Sequence, residues 1–241
     1  MKINWLIDKI VQSSRRYPEK IFTEKNKIYT CINSFKYHIF HKDPIPYEQM
    51  DGIFVDGIFM CKSLKWLWGK DIQRFSFDMT SIARDLFPRL CHTGETIYFI
   101  GDEELMIRQS VEQFSNSYPE MKIIGYRNGF FVDKKEREDT IHSIVKIKPD
   151  FVVVGMGGKL QEQFLYDLKQ AGFNGIGFTC GGFFHQTTKR LVYYPDWVNK
   201  YNLRAPYRMI KEGTYKRLIH LLGTFPFLLI CDTISSKFRK S

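Results

Sequence analysis

The stretch "VVVGMGGKLQEQFLYDL", Val152 to Leu168, decides the fold. Three β-branched residues run into a turn holding Gly155, Gly157 and Gly158, and the pair Gln161 and Glu162 then opens an amphipathic run. A strand that stops on glycines where a helix starts brings its backbone close to something, because glycine permits the turn and the first helical amides point outward. Two readings stand at this point. The turn cradles a phosphate or sugar while Gln161 and Glu162 hydrogen-bond it, or it is a plain tight turn with polar residues favoured near a helix start.

The same alternation continues on both sides. "KIYTCIN" (27–33), "TIYFIGD" (96–102), "MKIIGYRNGFF" (121–131) and "NGIGFTCGG" (174–182) predict strands, and "DGIFVDGIFM" (51–60) predicts a short strand and turn. The segments 105–118, 137–147 and 160–172 carry apolar residues at helical spacing. "KKEREDT" (134–140) reads as a solvated helix start. Near-continuous apolar strands alternating with helices imply an α/β fold, a Rossmann-like and mostly parallel sheet with helices on both faces. Ligands of such sheets bind outside the carboxyl ends of the strands, so the glycine turns mark the functional edge.

Composition narrows the class. A chain of 241 residues, 44% hydrophobic and 26% charged, has an ordinary globular balance and enough length for a sizeable core. Its cysteines (Cys31, Cys61, Cys91, Cys180, Cys231) are scattered and never form a CxxC pair, which points to a reducing compartment and away from structural zinc. "MKINWLIDKIVQSS" is broken by Asp8 and Lys9 and makes a poor leader, so a cytoplasmic location is expected.

The formal charge of +10 is concentrated near the end of the chain. From Lys200 onward nine Lys or Arg stand against Glu212 and Asp232, around the apolar "LIHLLGTFPFLLI" of 218–230. That run is too short to span a bilayer and holds Pro226, but a segment of this kind can lie on an anionic membrane face. A buried helix with a solvated basic end is the other reading. We therefore expect a core over 1–198 and, over 199–241, a basic, apolar appendage for membrane and acceptor contact. Basic charge gathered beside an apolar run, rather than spread over an aromatic platform, argues against nucleic acid.

The chain has no GxxxxGK[ST], no DxD and no GxSxG, and "HIFH" (His38, His41) reads as a helix face rather than a metal pair. No metal and no cofactor is expected. A nucleotide diphosphate would have to be met by backbone amides, helix N-termini and Arg or Lys. Three regions could supply these groups. The first is Gly155–Gly158 with Gln161 and Glu162. In the second, Gly181 and Gly182 follow a strand and His185, Gln186, Lys189 and Arg190 line the same edge. The third holds Arg74, Ser76, Asp78 and Thr80, in which Asp78 or Thr80 could be only an N-cap. Asp56, ending a strand before Gly57, is the best carboxylate for a general base, its apolar approach through Ile53, Phe54 and Val55 expected to desolvate it.

In this order the pieces resemble the WecG/TagA/CpsF family of bacterial glycosyltransferases. The resemblance rests on "CIN" (31–33), "VDG" (55–57), "RFSFD" (74–78), "GYRNGFF" (125–131), "GMGGKLQEQF" (155–164), "GGFFHQ" (181–186) and "YYPDWVNKYNL" (193–203) running into "APYRMIKE" (205–212). It implies a GT-E core, metal-independent and inverting, that moves a sugar from a UDP-sugar, of N-acetylmannosamine type or a related hexose, to a polyprenyl-diphosphate-linked saccharide. The work would take place peripherally on the inner face of the cell membrane, with a homo-oligomer possible. It also implies the catalytic-base role for Asp56, acceptor or sugar contacts for Asn33 and Arg74, donor contacts for Gln161 and the glycine turns, and diphosphate contacts for Arg208. Cys31, Lys159 and His185 depart from the family's Thr, Pro and Asp, and bear on the donor sugar more than on the reaction. A non-catalytic protein that binds a nucleotide sugar is the alternative from another class.

Overall fold

The computed structural model describes residues 2–188, 190–201, 203–213 and 219–238. Its centre is β5 (Phe151–Gly155), every residue of which is buried. Side chains alternate across a strand, and here both faces are covered. Phe151 and Val153 enter one core with Phe99 and Phe178, while Val152 and Val154 enter the other with Ile100 and Phe164. An unbroken apolar run rather than an alternating one is what this double burial requires.

Around it lie β1 (Lys27–Ile32), β2 (Gly52–Val55), β3 (Thr96–Gly101), β4 (Lys122–Arg127) and β6 (Ile176–Thr179). They form a six-stranded sheet in the order β2-β1-β6-β5-β3-β4, and every neighbouring pair is parallel. The later strands β5 and β6 sit in the middle, with the β1/β2 pair on one flank and β3/β4 on the other. Only the edge strand β4 shows the alternating exposure of a half-covered strand.

One face is covered by α1 (Lys2–Arg16), α2 (Tyr37–Lys42), α3 (Ile45–Glu48), α4 (Ile58–Trp68), α7 (Lys134–Ile147) and α8 (Leu160–Gln170), and the other by α5 (Ile82–Thr93), α6 (Glu104–Ser117) and α9 (Phe183–Thr187). The opening stretch, expected only to be a poor leader, is the core helix α1. Its Ile3, Leu6, Ile7 and Ile10 recur at i, i+3, i+4 and i+7 and are buried. Each such side chain contributes about 1.5–3 kcal/mol by leaving water. The expected strand and turn over 51–60 is β2, a turn at Asp56 and Gly57, and the first residues of α4. Asp133 caps the charged helix α7 by accepting from the Glu136 amide, as a solvated start would.

Beyond the sheet lie α10 (Asp196–Lys200), α11 (Arg204–Glu212), a π-helical turn (His220–Thr224) and α12 (Phe225–Phe238). Phe225 and Leu229 of α12 join the core that contains α1, and the Tyr37 hydroxyl donates to Asp232 at 2.7 Å. The exposed side of α12 carries Phe227, Ile230 and Ile234. Among the described residues no helix is long and apolar enough to cross a membrane. Lys216, Arg217, Arg239 and Lys240, part of the expected basic tail, lie outside the described residues, as does Lys189.

Candidate functional site

Parallel strands put all their carboxyl ends on one edge. Asn33 follows β1, Asp56 follows β2, Gly155 ends β5, and Gly181 and Gly182 come just after β6. Neighbouring strands lie about 4.8 Å apart, so Asp56 and Gly155, three strands apart, are separated by about 14 Å along this edge.

At the β2 end the charges are carried by side chains. Arg74 donates to the Asp56 carboxylate at 3.3 Å, to the Ser76 hydroxyl at 2.6 Å and to the Thr80 hydroxyl at 2.6 Å. Asp78 accepts from the Ser76 hydroxyl at 2.6 Å, from the Thr80 amide at 2.8 Å and from Arg204 at 3.2 Å, with the Thr80 hydroxyl also bonded to it. Burial opposes the charged form of Asp78. The Arg74 charge, the two hydroxyls and Arg204 outweigh it and hold the carboxyl below its usual range. Neither Asp78 nor Thr80 is the N-cap of α5; that position is Ser81, and the Asp78 side chain closes the preceding turn instead. The Asp56 side chain keeps 39% of its surface exposed. Its apolar approach therefore ends at Val55, and an arginine partner takes the place of the expected desolvation.

At the β5 and β6 ends the glycine turns leave backbone open, beside the exposed side chains of Lys159 and His185. Gly157 and Gly158 have φ of +70° and +49°, Gly181 has +58°, and a Cβ on any of them would meet nothing within 4 Å. Gly155 differs, since a Cβ there would lie 2.8 Å from the Cys180 sulfur and from the Phe184 ring. Below these turns Gln161 and Glu162 are fully buried. Gln161 accepts from the Gly181 amide at 3.1 Å and donates to Glu162 at 3.0 Å. Glu162 also accepts from the Thr30 hydroxyl at 2.7 Å, and Thr30 bonds Thr179 at 2.7 Å. The Lys36 ammonium stands 3.5 Å from the same Glu162 oxygen with its side chain only 15% exposed. The pair expected to touch a ligand thus ties the first turn of α8 to β1, β6 and the second glycine turn.

Asn33 spends its carbonyl oxygen on the Lys36 amide at 2.8 Å, which leaves its side-chain N–H groups as the donors it can offer. Arg208, brought in by α11, reaches the second turn: a Cβ on Gly182 would lie 3.0 Å from its guanidinium and 3.6 Å from the Gln186 amide nitrogen. Asp78, Thr80, Gln186, Tyr193 and Tyr194 line one cleft, which joins the second and third candidate regions. His185 and Arg190 are exposed. Burial pushes the Tyr194 phenol up to about 12, with Arg208 opposing and Asp56 adding. Burial and then Asp56 push the Cys31 thiol up to about 12, so it stays protonated near neutral pH and is a poor nucleophile.

Three participants were not singled out from sequence: Lys36, Arg204 and Tyr194. Arg204 stacks over the Tyr194 ring at 5.0 Å. Its spacing of four from Arg208, one helix face, was the available signal. Among the described residues no group of three or more His, Cys, Asp or Glu is placed to hold a metal ion. His38 and His41 lie on α2, as a helix-face reading has it; His38 stacks on His220 at 4.3 Å and His41 pairs with Asp232 at 3.1 Å.

Comparison with known proteins adds to this geometry. The model of the glycosyl transferase WecG/TagA/CpsF family matches residues 21–240. The chain is 32% identical over 209 residues, 85% of its length and 86% of the relative's, to a UDP-Gal:alpha-D-GlcNAc-diphosphoundecaprenol beta-1,4-galactosyltransferase of Shigella boydii. It is 28% identical over 126 residues, 52% of its length and 48% of the relative's, to an N-acetylglucosaminyldiphosphoundecaprenol N-acetyl-beta-D-mannosaminyltransferase of Bacillus subtilis. A protein of the same name from Bacillus spizizenii is 27% identical over 177 residues, 71% of this chain and 65% of that one.

Proposed function

The chain belongs to the WecG/TagA/CpsF family of glycosyl transferases, and from that premise we propose that it moves a hexose from a UDP-sugar to a polyprenyl-diphosphate-linked saccharide with inversion and without a metal ion. It is a glycosyltransferase of polysaccharide synthesis. The observation that carries the finer reading is the pairing of Asp56 with Arg74 at one end of an edge that also holds Arg208 at the Gly182 turn. Asp56, after β2, and the Gly182 turn, after β6, are two strands apart, about 10 Å at about 4.8 Å per strand, which is about the length of a hexose joined to a diphosphate.

The chemistry follows from those positions. Asp56, held by Arg74, takes the proton of the acceptor hydroxyl as its oxygen attacks the anomeric carbon from the face opposite the nucleotide. The bond from that carbon to the β-phosphate oxygen breaks, and the electron pair leaves with UDP. Arg208 and the open amides of the glycine turns stabilise the charge that collects there. A nucleoside diphosphate is already a good leaving group, so no carboxylic acid has to protonate it. Asn33 offers its amide donors to a sugar or acceptor oxygen at the β1 end.

The acceptor's place in the membrane has a counterpart in the structure. α4 begins two residues after Asp56 and exposes Phe59, Trp66, Lys62 and Lys65, and Phe59 packs on Phe225 at the start of α12. The exposed Phe227, Ile230 and Ile234 of α12 extend that apolar side. We assign this face to the cytoplasmic membrane surface, which delivers a lipid diphosphate next to the base. The relative matched over 85% of the chain is named a galactosyltransferase, which favours galactose among the hexoses to be tried first.

The test is UDP release from a panel of UDP-sugars with a lipid-diphosphate-linked N-acetylglucosamine acceptor, with and without EDTA, followed by NMR assignment of the new anomeric centre. Turnover that survives EDTA and yields the inverted anomer supports the proposal. Turnover that stops in EDTA, or a retained configuration, sinks it. UDP-sugar binding without turnover would favour a binding protein instead.

A further inference from the structure

One charged group at the strand ends has no part in the mechanism above. Lys36 precedes α2 and reaches back over the ends of β1 and β6, where its charge is felt by both Cys31 and Cys180. Its side chain is 85% withdrawn from solvent by the complement of its 15% exposure, and its ammonium lies 3.5 Å from Glu162. That distance is an ion pair, longer than a good charged hydrogen bond of about 2.7–2.9 Å. No described residue accepts a hydrogen bond from this ammonium, although it has three to give. A cation this far withdrawn from water, with donors left to give, gains from a ligand oxygen that takes them.

Its place specifies the ligand. Lys36 stands between Asp56, one strand away on β2, and the glycine turns after β5 and β6, so an oxygen above it belongs to the part of the donor that links sugar to nucleotide. Glu162, fixed by Thr30 and Gln161, holds the ammonium at the sheet edge through their ion pair. We infer that Lys36 is a further residue of the site, held by Glu162, and that it hydrogen-bonds the diphosphate of the donor as negative charge gathers on the departing UDP. This rests on the proposed UDP-sugar transfer. It also gives Glu162 a positioning role, in place of direct contact with the sugar.

The experiment uses the full chain and compares wild type, Lys36→Met, Lys36→Arg and the double variant Lys36→Met/Glu162→Gln. It measures steady-state transfer and the affinities for UDP and for uridine, which lacks the diphosphate. Lys36→Met is expected to lower kcat about 100-fold, the scale of removing one preorganised donor from a charged transition state. KM for the lipid acceptor should stay unchanged. UDP affinity should fall about tenfold, the scale of one charge-assisted hydrogen bond, while uridine affinity holds. Lys36→Arg should restore part of both losses.

The double variant removes both charges and leaves no unpaired buried carboxylate, so it answers the case in which Lys36→Met does not fold. It should show the same selective loss for UDP. Recovery of wild-type kcat and UDP affinity in the double variant would mean that Lys36 only neutralises Glu162 and would overturn the inference. An equal loss for UDP and uridine, or none, would overturn it as well. Those outcomes leave the transferase reading standing, whereas wild-type protein that neither turns over nor binds UDP-sugars removes both.

Discussion

The two ends of the sheet's functional edge solve opposite problems. Around Asp56, Arg74, Asp78 and Arg204 the polar groups are side chains, partly open and arranged as alternating charges. Around Gln161, Glu162, Thr30 and Thr179 the side chains are almost completely buried, and the glycine turns above them leave backbone open. The first end can move a proton and orient a nucleophile. The second can hold an anion without moving. On the proposed function, the difference teaches that base chemistry and leaving-group stabilisation occupy different parts of this edge, each in the dielectric that suits it. A base must reach a solvated hydroxyl, whereas fixed dipoles stabilise developing charge best where water does not compete.

The largest effect that can break this comparison is at the base. Asp56→Asn keeps shape and its place beside Arg74 but cannot take a proton. We expect kcat to fall about 10³-fold, within the usual range for a positioned base, with UDP affinity unchanged by calorimetry. Retained turnover would move the base elsewhere, and a matching loss of UDP binding would show that the two ends are not separate.

Next is the anchor of the charged end. Among the described residues Asp78 is the carboxylate that ion-pairs with both Arg74 and Arg204, the latter from a helix far along the chain. Asp78→Asn leaves two guanidiniums facing each other in a part-buried place and should cost about 3 kcal/mol in urea unfolding, as breaking a buried pair does. The sign with pH is set by its depressed carboxyl. The folded protein holds the proton less tightly than the unfolded chain, so this stability is present above about pH 4 and is lost as the pH falls through the lower folded value. The variant should show a flatter acid limb than wild type, and an identical limb would remove Asp78 from the account.

At the buried end, Gln161→Ala strips the Gly181 amide of its acceptor and Glu162 of one donor. Leaving such groups unpaired costs about 1–3 kcal/mol. The outcome to look for is lower stability together with a raised KM for the donor, because the second glycine turn loses its support. An unchanged acceptor KM would confirm that the effect stays at this end of the edge.

How much of this was legible in the sequence follows the same division. The β5–α8 unit could be read because a fully buried strand must be apolar throughout and a turn with positive φ favours glycine, both local facts. Asp56, Asn33 and the glycine turns fell on one edge because parallel topology puts every strand's carboxyl end there. Lys36 could not be read and Arg204 only through its spacing from Arg208, since each matters through a partner more than a hundred residues away. Gln161 and Glu162 were visible as polar residues at a helix start, but their burial depends on the Thr30–Thr179 contact between strands that only the sheet order brings together. α1 carried a clear helical pattern, yet a stretch weighed only as a leader does not disclose that its apolar face closes the core beneath α12.

The smallest test separates two glycines that look alike in "GMGG". Gly155 is needed for space, because a Cβ would press on the Cys180 sulfur and the Phe184 ring at 2.8 Å. Gly157 is needed for conformation, with φ at +70° and open space where a Cβ would go. Gly155→Ala should therefore cost about 2 kcal/mol by overpacking, and a smaller neighbour in Phe184→Leu should recover part of it. Gly157→Ala should cost about 1 kcal/mol through its left-handed backbone, and no substitution of a neighbour should relieve it. If the turn after β5 meets the donor, Gly157→Ala also weakens UDP binding although it disturbs no protein contact. Thermal unfolding and UDP titration of the three variants decide between a turn that only packs and one that holds a ligand.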